Sequence, residues 1–557
     1  MVRVPRVGFT WAGGAALAAG SLVATLLLGL LVPIYTDEVA WRYQARAAVD
    51  GVDRFIGVNC GPNTLAVPPF FMMPLRHFSA AVNAALDDPL YVRLAGVGLA
   101  LAWAALFWLL AGRIAGGREE AHRLRIIGFS LLGLGVLPFL LVLSRPEQPL
   151  LICITLALLV ASRRWGESKT EDDSPAKAAL VSAAVLLIGL VAISYHLKGI
   201  LYAPVFVIAL FAASRGRGTI VPRVVAAGLF GACAFVALRY WVDRFACPGD
   251  PLLAAQLAKE NAATLLLTRD LAAGVAAWLS HGVEVLSPLR YLDLVTPAPR
   301  YMSDWLPPGV VSIQTYTLWA AALRVAWGFA LLAVAAAGAM AVMRLVRDRR
   351  VDRRLLLGLA LAGIVIGWGL MQITKNSYES ALALPASVLA FLLILSAAPR
   401  HALLDRLVRQ LSVVLLVLAV GSQIALFAFY ARPLWQAAAT PGYLAAQRFS
   451  YSPYGYRTLE QDIAKAGEAC GFRHGTRPRA LLIDDLTYLA YQQSWRPLHR
   501  NGVLNSWNGT ISDPVAYLRS QGSTGLMIGC AYLPPEVRAR AKRSGQFCCL
   551  NLSPGSE

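Results

Sequence analysis

Eleven stretches of about twenty mostly apolar residues recur along this chain, each long enough to cross a bilayer's hydrocarbon core as a helix. They fall near residues 11–34, 89–112, 124–143, 147–162, 178–195, 199–213, 223–242, 316–343, 355–373, 379–398 and 410–430. Over 557 positions, 57% apolar and 15% charged residues leave too little charge to coat a soluble surface. The expected fold class is an all-α polytopic membrane protein. The first stretch is too long for a signal-peptide core, and no small-residue cleavage site precedes Pro33. It reads as an uncleaved helix with "MVRVPR" on the inner side.

An odd number of spans puts the termini on opposite sides, and the loops agree. The loops assigned inside carry Arg113, Arg118, Arg123 and Arg125; Arg163, Arg164, Lys169 and Lys177; Arg215, Arg217 and Arg223; "RLVRDRRVDRR" (344–354); and Arg400, Arg406 and Arg409. The short outer loops "SRPEQ" (144–148), "SYHLKG" (194–199) and "TKNSYES" (374–380) hold a single strong cation each. This is the positive-inside asymmetry. It accounts for the formal net charge of +19, and no nucleic-acid partner is expected. "LAAGVAAWLSHGVEVLSPL" (271–289) is apolar, but Arg269, Asp270, His281 and Glu284 argue for an amphipathic helix within an outer loop.

Two outer loops are long, 35–88 and 243–315. Residues 1–431 therefore read as the membrane module. Residues 432–557 are too polar to span and read as a small C-terminal α/β domain outside the membrane. "RALLIDD", "TGLMIGC" and "GQFCCLNL" suggest strands, and "DPVAYLRSQG" and "PPEVRARAKRSG" suggest helices. Asp484 and Asp485, at a strand end, read as helix caps ahead of a ligand role. On that side Cys60, Cys247, Cys470, Cys530, Cys548 and Cys549 admit one or two disulfides of open pairing.

Polar residues then collect at the outer lip of the bundle. Asp37 and Glu38 follow the first span; Arg145 and Glu147 lie in one hairpin, His196 and Lys198 in another, and Lys375 and Tyr378 in a third. Each has a plain reading alone: a snorkelling cation, a local ion pair, an interfacial histidine, a helix cap. Together, a carboxylate pair and several cations at one level suit the transfer of a sugar from a lipid phosphate to a hydroxyl. A carboxylate can deprotonate the attacking hydroxyl and stabilise an oxocarbenium-like transition state, while cations neutralise the departing phosphate. A transporter would place charges near the bilayer midplane, and no such deep charge is expected here.

These residues resemble those of the GT-C superfamily of integral membrane glycosyltransferases, which use polyprenyl-phosphate-linked sugars. The resemblance rests on "YTDEVAWR" (35–42), "RPE" (145–147), "HLKG" (196–199) and "KNSYESALALPA" (375–386). It implies Asp37 as general base with Glu38 as its partner towards acceptor or metal. Arg145 and Lys198 would hold the donor phosphate, aided by His196 and Lys375, and Glu147 would orient Arg145 or bind sugar hydroxyls. Trp41, Tyr378 and Glu284 would be further substrate contacts. No Asp-x-Asp stands near Asp37, which favours catalysis without a cofactor or a metal, although some members of the superfamily bind a divalent ion. No carboxylate marks an opposite-face nucleophile, so inversion at the anomeric carbon is expected. The acceptor would be an envelope glycan, lipid or protein, and the site periplasmic, at the inner membrane of a bacterium. An oligosaccharide ligase or polymerase, and a transporter or flippase for lipid-linked sugar, are the competing readings.

Overall fold

The computed structural model describes residues 10–35, 38–39, 41–42, 81–82, 85–86, 88–163, 165, 173–196, 198–214, 216–245, 272–273, 275–276, 279, 306–307, 310–349, 352–367, 380–399, 401–440, 450–472, 481–484, 486–491, 498–499, 513–520 and 523–553. Among the described residues six helices are long and apolar enough to cross a membrane: Trp11–Leu31, Pro89–Ile114, Pro175–Tyr195, Ile220–Arg239, Gln314–Asp348 and Ala402–Ala439. Their outward faces carry large apolar side chains such as Leu17, Leu109, Leu180, Phe235, Leu332 and Val417. A face of that kind is stable against acyl chains and costly against water. The chain is a multi-pass membrane protein.

The bundle comprises α1 (Trp11–Leu28), α2 (Pro89–Ile114), α3 (Arg118–Leu132), α4 (Leu137–Leu141), α5 (Glu147–Ser162), α6 (Pro175–Tyr195), α7 (Lys198–Leu201), α8 (Ala203–Ala212), α9 (Ile220–Phe245), α10 (Ile313–Asp348), α11 (Arg353–Gly367), α12 (Ser380–Ala397) and α13 (Ala402–Ala439). Six of the eleven expected spans coincide with these helices, Glu147–Ser162, Ala203–Ala212 and Leu382–Ala397 are shorter apolar helices, and two stretches differ further in form. The stretch 124–143 is broken between α3 and α4, where Gly135 takes a left-handed φ of 61° that suits glycine. Its freed N–H donates to Ser422 Oγ at 2.9 Å, which meets the requirement that buried backbone find a partner. The stretch 410–430 belongs to a 38-residue helix, so the change of composition at residue 432 falls inside α13. Of the expected amphipathic helix at 271–289, the described residues 272–273, 275–276 and 279 are helical and the rest lies outside the described residues.

The arginine-rich loops meet at one end of the bundle and cap helix C-termini there. Arg353 Nη1 donates to Ala212 O at 2.7 Å and Arg354 Nη1 to Ile114 O at 3.3 Å. Arg163 Nε donates to Ala213 O at 2.9 Å, and Arg123 faces Asp405. Cations at helix C-termini satisfy orphan carbonyls and oppose the helix dipole.

Beyond the bundle a five-stranded sheet forms in the order β4-β3-β5-β7-β6. Its strands are β3 (Leu481–Ile483), β4 (Leu498–His499), β5 (Gly525–Gly529), β6 (Lys542–Ser544) and β7 (Phe547–Asn551). The first three are mutually parallel, and β7 and β6 are antiparallel additions. The expected helix "PPEVRARAKRSG" is half right. Pro535–Arg540 is helical, but Lys542–Ser544 pairs with β7 across the two-residue loop Gly545–Gln546, with Gly545 at φ 59°. A glycine-led hairpin of that length overrides a weak helical pattern. Asp484 caps the following turn through Leu486 and Thr487 N–H and binds the β5 end at Gly529 N–H, 2.8 Å away. Asp485 lies outside the described residues.

Adjacent strand residues face opposite sides, and the neighbours Cys548 and Cys549 use this. Cys549 is bonded to Cys470, at the end of the helix Tyr456–Glu468, and Cys548 to Cys530, just past β5. Cys60 and Cys247 lie outside the described residues. A second, two-stranded pairing ties this region to the bundle: β1 (Ile34–Tyr35) runs antiparallel to β2 (Ser450–Tyr451). Ile34, Val39 and Val92 share one apolar cluster with Tyr451, Leu459, Ile483 and Tyr488.

Disulfide mapping of the oxidised protein should recover Cys470–Cys549 and Cys530–Cys548, with Cys153 and Cys233 as thiols. Replacing Cys470 and Cys549 by serine should cost this region about 2–5 kcal/mol, read by limited proteolysis of the tail.

Candidate active site

The chain leaves α1 through a 3-10 turn, Gly29–Leu31, and enters β1 at the end of the bundle opposite the arginine-rich loops. Glu38 follows, fully buried. Its Oε1 accepts from Ser144 N at 2.7 Å; its Oε2 accepts from Tyr35 N at 3.0 Å and from Arg93 Nη2 at 2.8 Å. Arg93, also fully buried, directs its remaining donors to three carbonyls: Val32 O at 2.9 Å, Pro33 O at 2.7 Å and Val142 O at 2.7 Å. Arg42 adds a third buried charge. It donates to Glu38 O, Ser144 O and Ser144 Oγ at 2.8–3.0 Å, and to Leu86 O. Desolvation pulls Arg42 down to about 10, with Glu38 opposing the shift; it stays charged at neutral pH.

Small residues make this approach possible. A Cβ on Gly96, less than one turn from Arg93 on α2, would collide with Val142 O, the carbonyl that Arg93 binds. The 96 position therefore requires glycine for close backbone contact.

The second charged group sits beside the first in sequence and space. Glu147 opens α5 and is buried. Lys198 Nζ donates to its Oε1 at 2.7 Å, and Arg145 Nε donates to its Oε2 at 3.2 Å. Two cations thus share one carboxylate, for a net charge of +1 over the three side chains. "HLKG" folds as a tight turn: Gly199 N donates to His196 O at 2.8 Å. A Cβ at Gly199 would lie 2.6 Å from Ala192 O, so glycine lets the Lys198 turn press against α6. His196 Nδ1 accepts from Lys198 N at 3.0 Å, so that nitrogen carries no proton. Burial, and then the Lys198 charge, hold the imidazole well below its ordinary pKa. His196 is therefore neutral, with its proton on Nε2, and offers a phosphate no positive charge. Trp41 packs on it with ring centroids 5.6 Å apart.

The structure thus brings together Trp41, Arg145, Glu147, His196 and Lys198, with Glu38 one hairpin away through Ser144. Asp37, Lys375, Tyr378 and Glu284 lie outside the described residues. Glu38 differs from the expectation of a partner facing acceptor or metal: both its oxygens accept bonds from the protein interior. One buried charge near this lip has no place in the sequence reading. Arg93 is a fully buried cation one turn into an apolar helix, and in the sequence that placement, "YVRLAGVGLA", is itself the signal. Tyr202, fully buried, has a hydroxyl without a hydrogen-bond partner and close enough to Glu147 to feel its charge. Among the described residues no three His, Cys, Asp or Glu side chains gather as a metal site.

No protein-family model and no curated protein matches the sequence. Among solved structures, ArnT from Cupriavidus metallidurans bound to undecaprenyl phosphate aligns over 98% of this chain and 99% of its own, at 12% identity and a TM-score of 0.31. The same protein in the apo state aligns at 11% identity and a TM-score of 0.33, over 98% of each chain. An oligosaccharyltransferase from Archaeoglobus fulgidus, tethered to an acceptor peptide, aligns at 12% identity and a TM-score of 0.42, over 92% of this chain and 69% of its own. At these identities and TM-scores the likenesses carry no argument about activity, which rests on the residues themselves.

Arg93→Met should destabilise the fold by about 3–5 kcal/mol because it strands the Glu38 carboxylate in an apolar interior. Adding Glu38→Gln to it should recover part of that loss, a coupling that a double-mutant cycle in detergent will register. The His196 shift has a definite sign. Its folded pKa is depressed, so its contribution is fully present above the ordinary histidine value, about 6.5, and is lost as pH falls below it. Thermal melts of wild type should drop more steeply on acidification from pH 7 to 5 than those of His196→Gln.

Proposed function

We propose that the protein is an inverting glycosyltransferase of the GT-C type, moving a sugar from a polyprenyl phosphate to a hydroxyl at the membrane surface. The observation that carries this reading is the Arg145–Glu147–Lys198 group, with neutral His196 and Trp41, at the bundle end where the chain carrying Asp37 leaves the first span. Lipid phosphate, sugar and water meet only at such a level. Two cations beside an indole and an imidazole donor suit a phosphosugar head.

In this reading Asp37 takes the proton of the acceptor hydroxyl as its oxygen bonds to the anomeric carbon. The bond from that carbon to the phosphate oxygen breaks, and the polyprenyl phosphate leaves with the electron pair. Lys198 and Arg145 meet the charge it gains. Glu38 acts as a positioning residue: in sequence Asp37 stands between Tyr35 and Glu38, and Glu38 bonds Tyr35 N–H, Arg93 and Ser144. No step is assigned to a metal. The eleven traverses, the N-terminus in the cytoplasm, a periplasmic C-terminal region and an envelope glycan, lipid or protein as acceptor complete the proposal. The two disulfides of the tail are in keeping with an oxidising compartment.

A transporter or flippase of lipid-linked sugar draws on one observation, the break between α3 and α4, since discontinuous helices line transport sites. The break here has its Gly135 N–H satisfied by Ser422. An oligosaccharide ligase or polymerase has no comparable support.

Purified wild type should transfer sugar from a polyprenyl-phosphate donor, with inversion seen by proton NMR of the product. Asp37→Asn should bind donor normally and lose transfer by a factor of about 100 or more. Donor turnover that survives this substitution, or wild type that binds but never transfers across common bacterial sugars, would remove Asp37 as base and favour transport.

A further inference from the structure

At the arginine-rich end, far from the site above, the described residues line a cavity of about 600 Å³. It lies between the α2–α3 turn, the end of α10, the start of α11 and the junction of α12 with α13. Four arginines line it, Arg118, Arg123, Arg344 and Arg354, against the carboxylates Glu119, Glu120 and Asp405. Some of these charges already have close partners. Arg354 is bound by Asp352 at 2.9 Å and Arg344 by Asp348 at 3.3 Å, and Glu120 accepts from Gly116 N–H at 3.1 Å.

The group at the cavity wall is different. Arg123 stands 3.7 Å from Asp405 and 3.9 Å from Glu119, with no hydrogen bond closing either gap. Its buried Nε has no hydrogen-bond partner. A mostly buried guanidinium held off two carboxylates at these distances asks for a polar group bridging between them. The bridging group must accept from a guanidinium and donate to carboxylates, and a phosphate ester beside an ammonium does both. A simple anion would meet Asp405 and Glu119 as well as Arg123, which is unfavourable.

An apolar track leads away from the cavity. Leu404 and Val408 of α13 line it, and Leu403, Leu407, Val414 and Val417 continue along one outward face of that helix, all exposed. Their spacing of four, seven and three residues keeps them on one stripe. A ligand with a zwitterionic head here has room for acyl chains along the stripe, at the depth where arginine-rich loops meet lipid headgroups.

We infer that this cavity is a headgroup site for an amine-bearing phospholipid, its phosphate ester held by Arg123 and its ammonium by Asp405 and Glu119. The site is independent of the catalytic reading. It ties five helices together where their loops converge, and lipid occupancy would stabilise the bundle from the face opposite the reaction.

Native mass spectrometry of the full-length protein in detergent tests it, with phosphatidylethanolamine, phosphatidylglycerol and inorganic phosphate as separate probes. The amine lipid should be retained about tenfold better than the glycerol lipid, and Arg123→Gln or Asp405→Asn should each lower its occupancy about tenfold. Equal retention of the two lipids, phosphate bound without lipid, or variants that bind as wild type does would overturn the proposal. Because a variant can fail through misfolding, wild type should also be labelled with a photoactivatable phosphatidylethanolamine carrying its reactive group at the head. Crosslinks should fall within 116–124 and 395–408, and labelling confined to other segments would overturn the assignment.

Discussion

The buried contact between Glu38 and Arg93 governs the end of the bundle where the first span exits. Ion pairs in an apolar interior offset their desolvation only when nearly every donor and acceptor is used, and here the bonding is close to complete. Glu38 takes three N–H donors; Arg93 gives to three carbonyls and one carboxylate. The carbonyls are those of the chain leaving α1 and of the turn before "RPE". One pair therefore fixes the exit of the first span, the start of β1 and the hairpin that presents Arg145 and Glu147. The β1–β2 pairing extends the same frame to the C-terminal sheet through Tyr451. Ile34 and Val39 share an apolar cluster with Tyr451 and Leu459, so the tail is part of the frame around the exit of the first span.

Beside that rigid frame lies a cluster arranged on another principle. Glu147 carries two cations, Lys198 on one oxygen and Arg145 on the other, which sets both at one level of the bundle end. His196 is held neutral by burial and by Lys198, and its Nδ1 is occupied by the Lys198 backbone. It contributes a single directed N–H. The opposite end of the bundle uses its arginines differently, to cap the C-termini of α2 and α8 and to line a mixed-charge cavity.

The spans are legible because only lipid favours twenty apolar residues in a row, and "RPE" and "HLKG" stand out because charges in short hairpins must lie near the apolar boundary. Other features lie beyond that logic. The break at Gly133–Val136 occurs within an apolar stretch, "LLGLGVLP", and its partner, Ser422, is 287 residues away. Arg93 stands out in "YVRLAGVGLA", but its partners at Val32, Glu38 and Val142 are distant in sequence. Glu38 reads as one of a pair with Asp37, yet neighbouring residues on a turn can face opposite ways, and Glu38 faces inward. Strand β6 is masked by a run of Arg and Lys that passes for helix until the Gly545 turn folds it back. Asp37, Lys375, Tyr378 and Glu284 remain readings of the sequence.

The central claim is that the Arg145–Glu147–Lys198 group holds a lipid-linked phosphate. Its most direct test is the affinity of purified wild type and Lys198→Gln for a short-chain polyprenyl phosphate, measured by calorimetry in detergent over a series of salt concentrations. The variant should bind at least about tenfold more weakly, in line with loss of one charge-assisted bond, and its affinity should depend less on salt. Equal affinity and equal salt dependence for the two proteins would contradict the claim and leave the triad a structural ion pair.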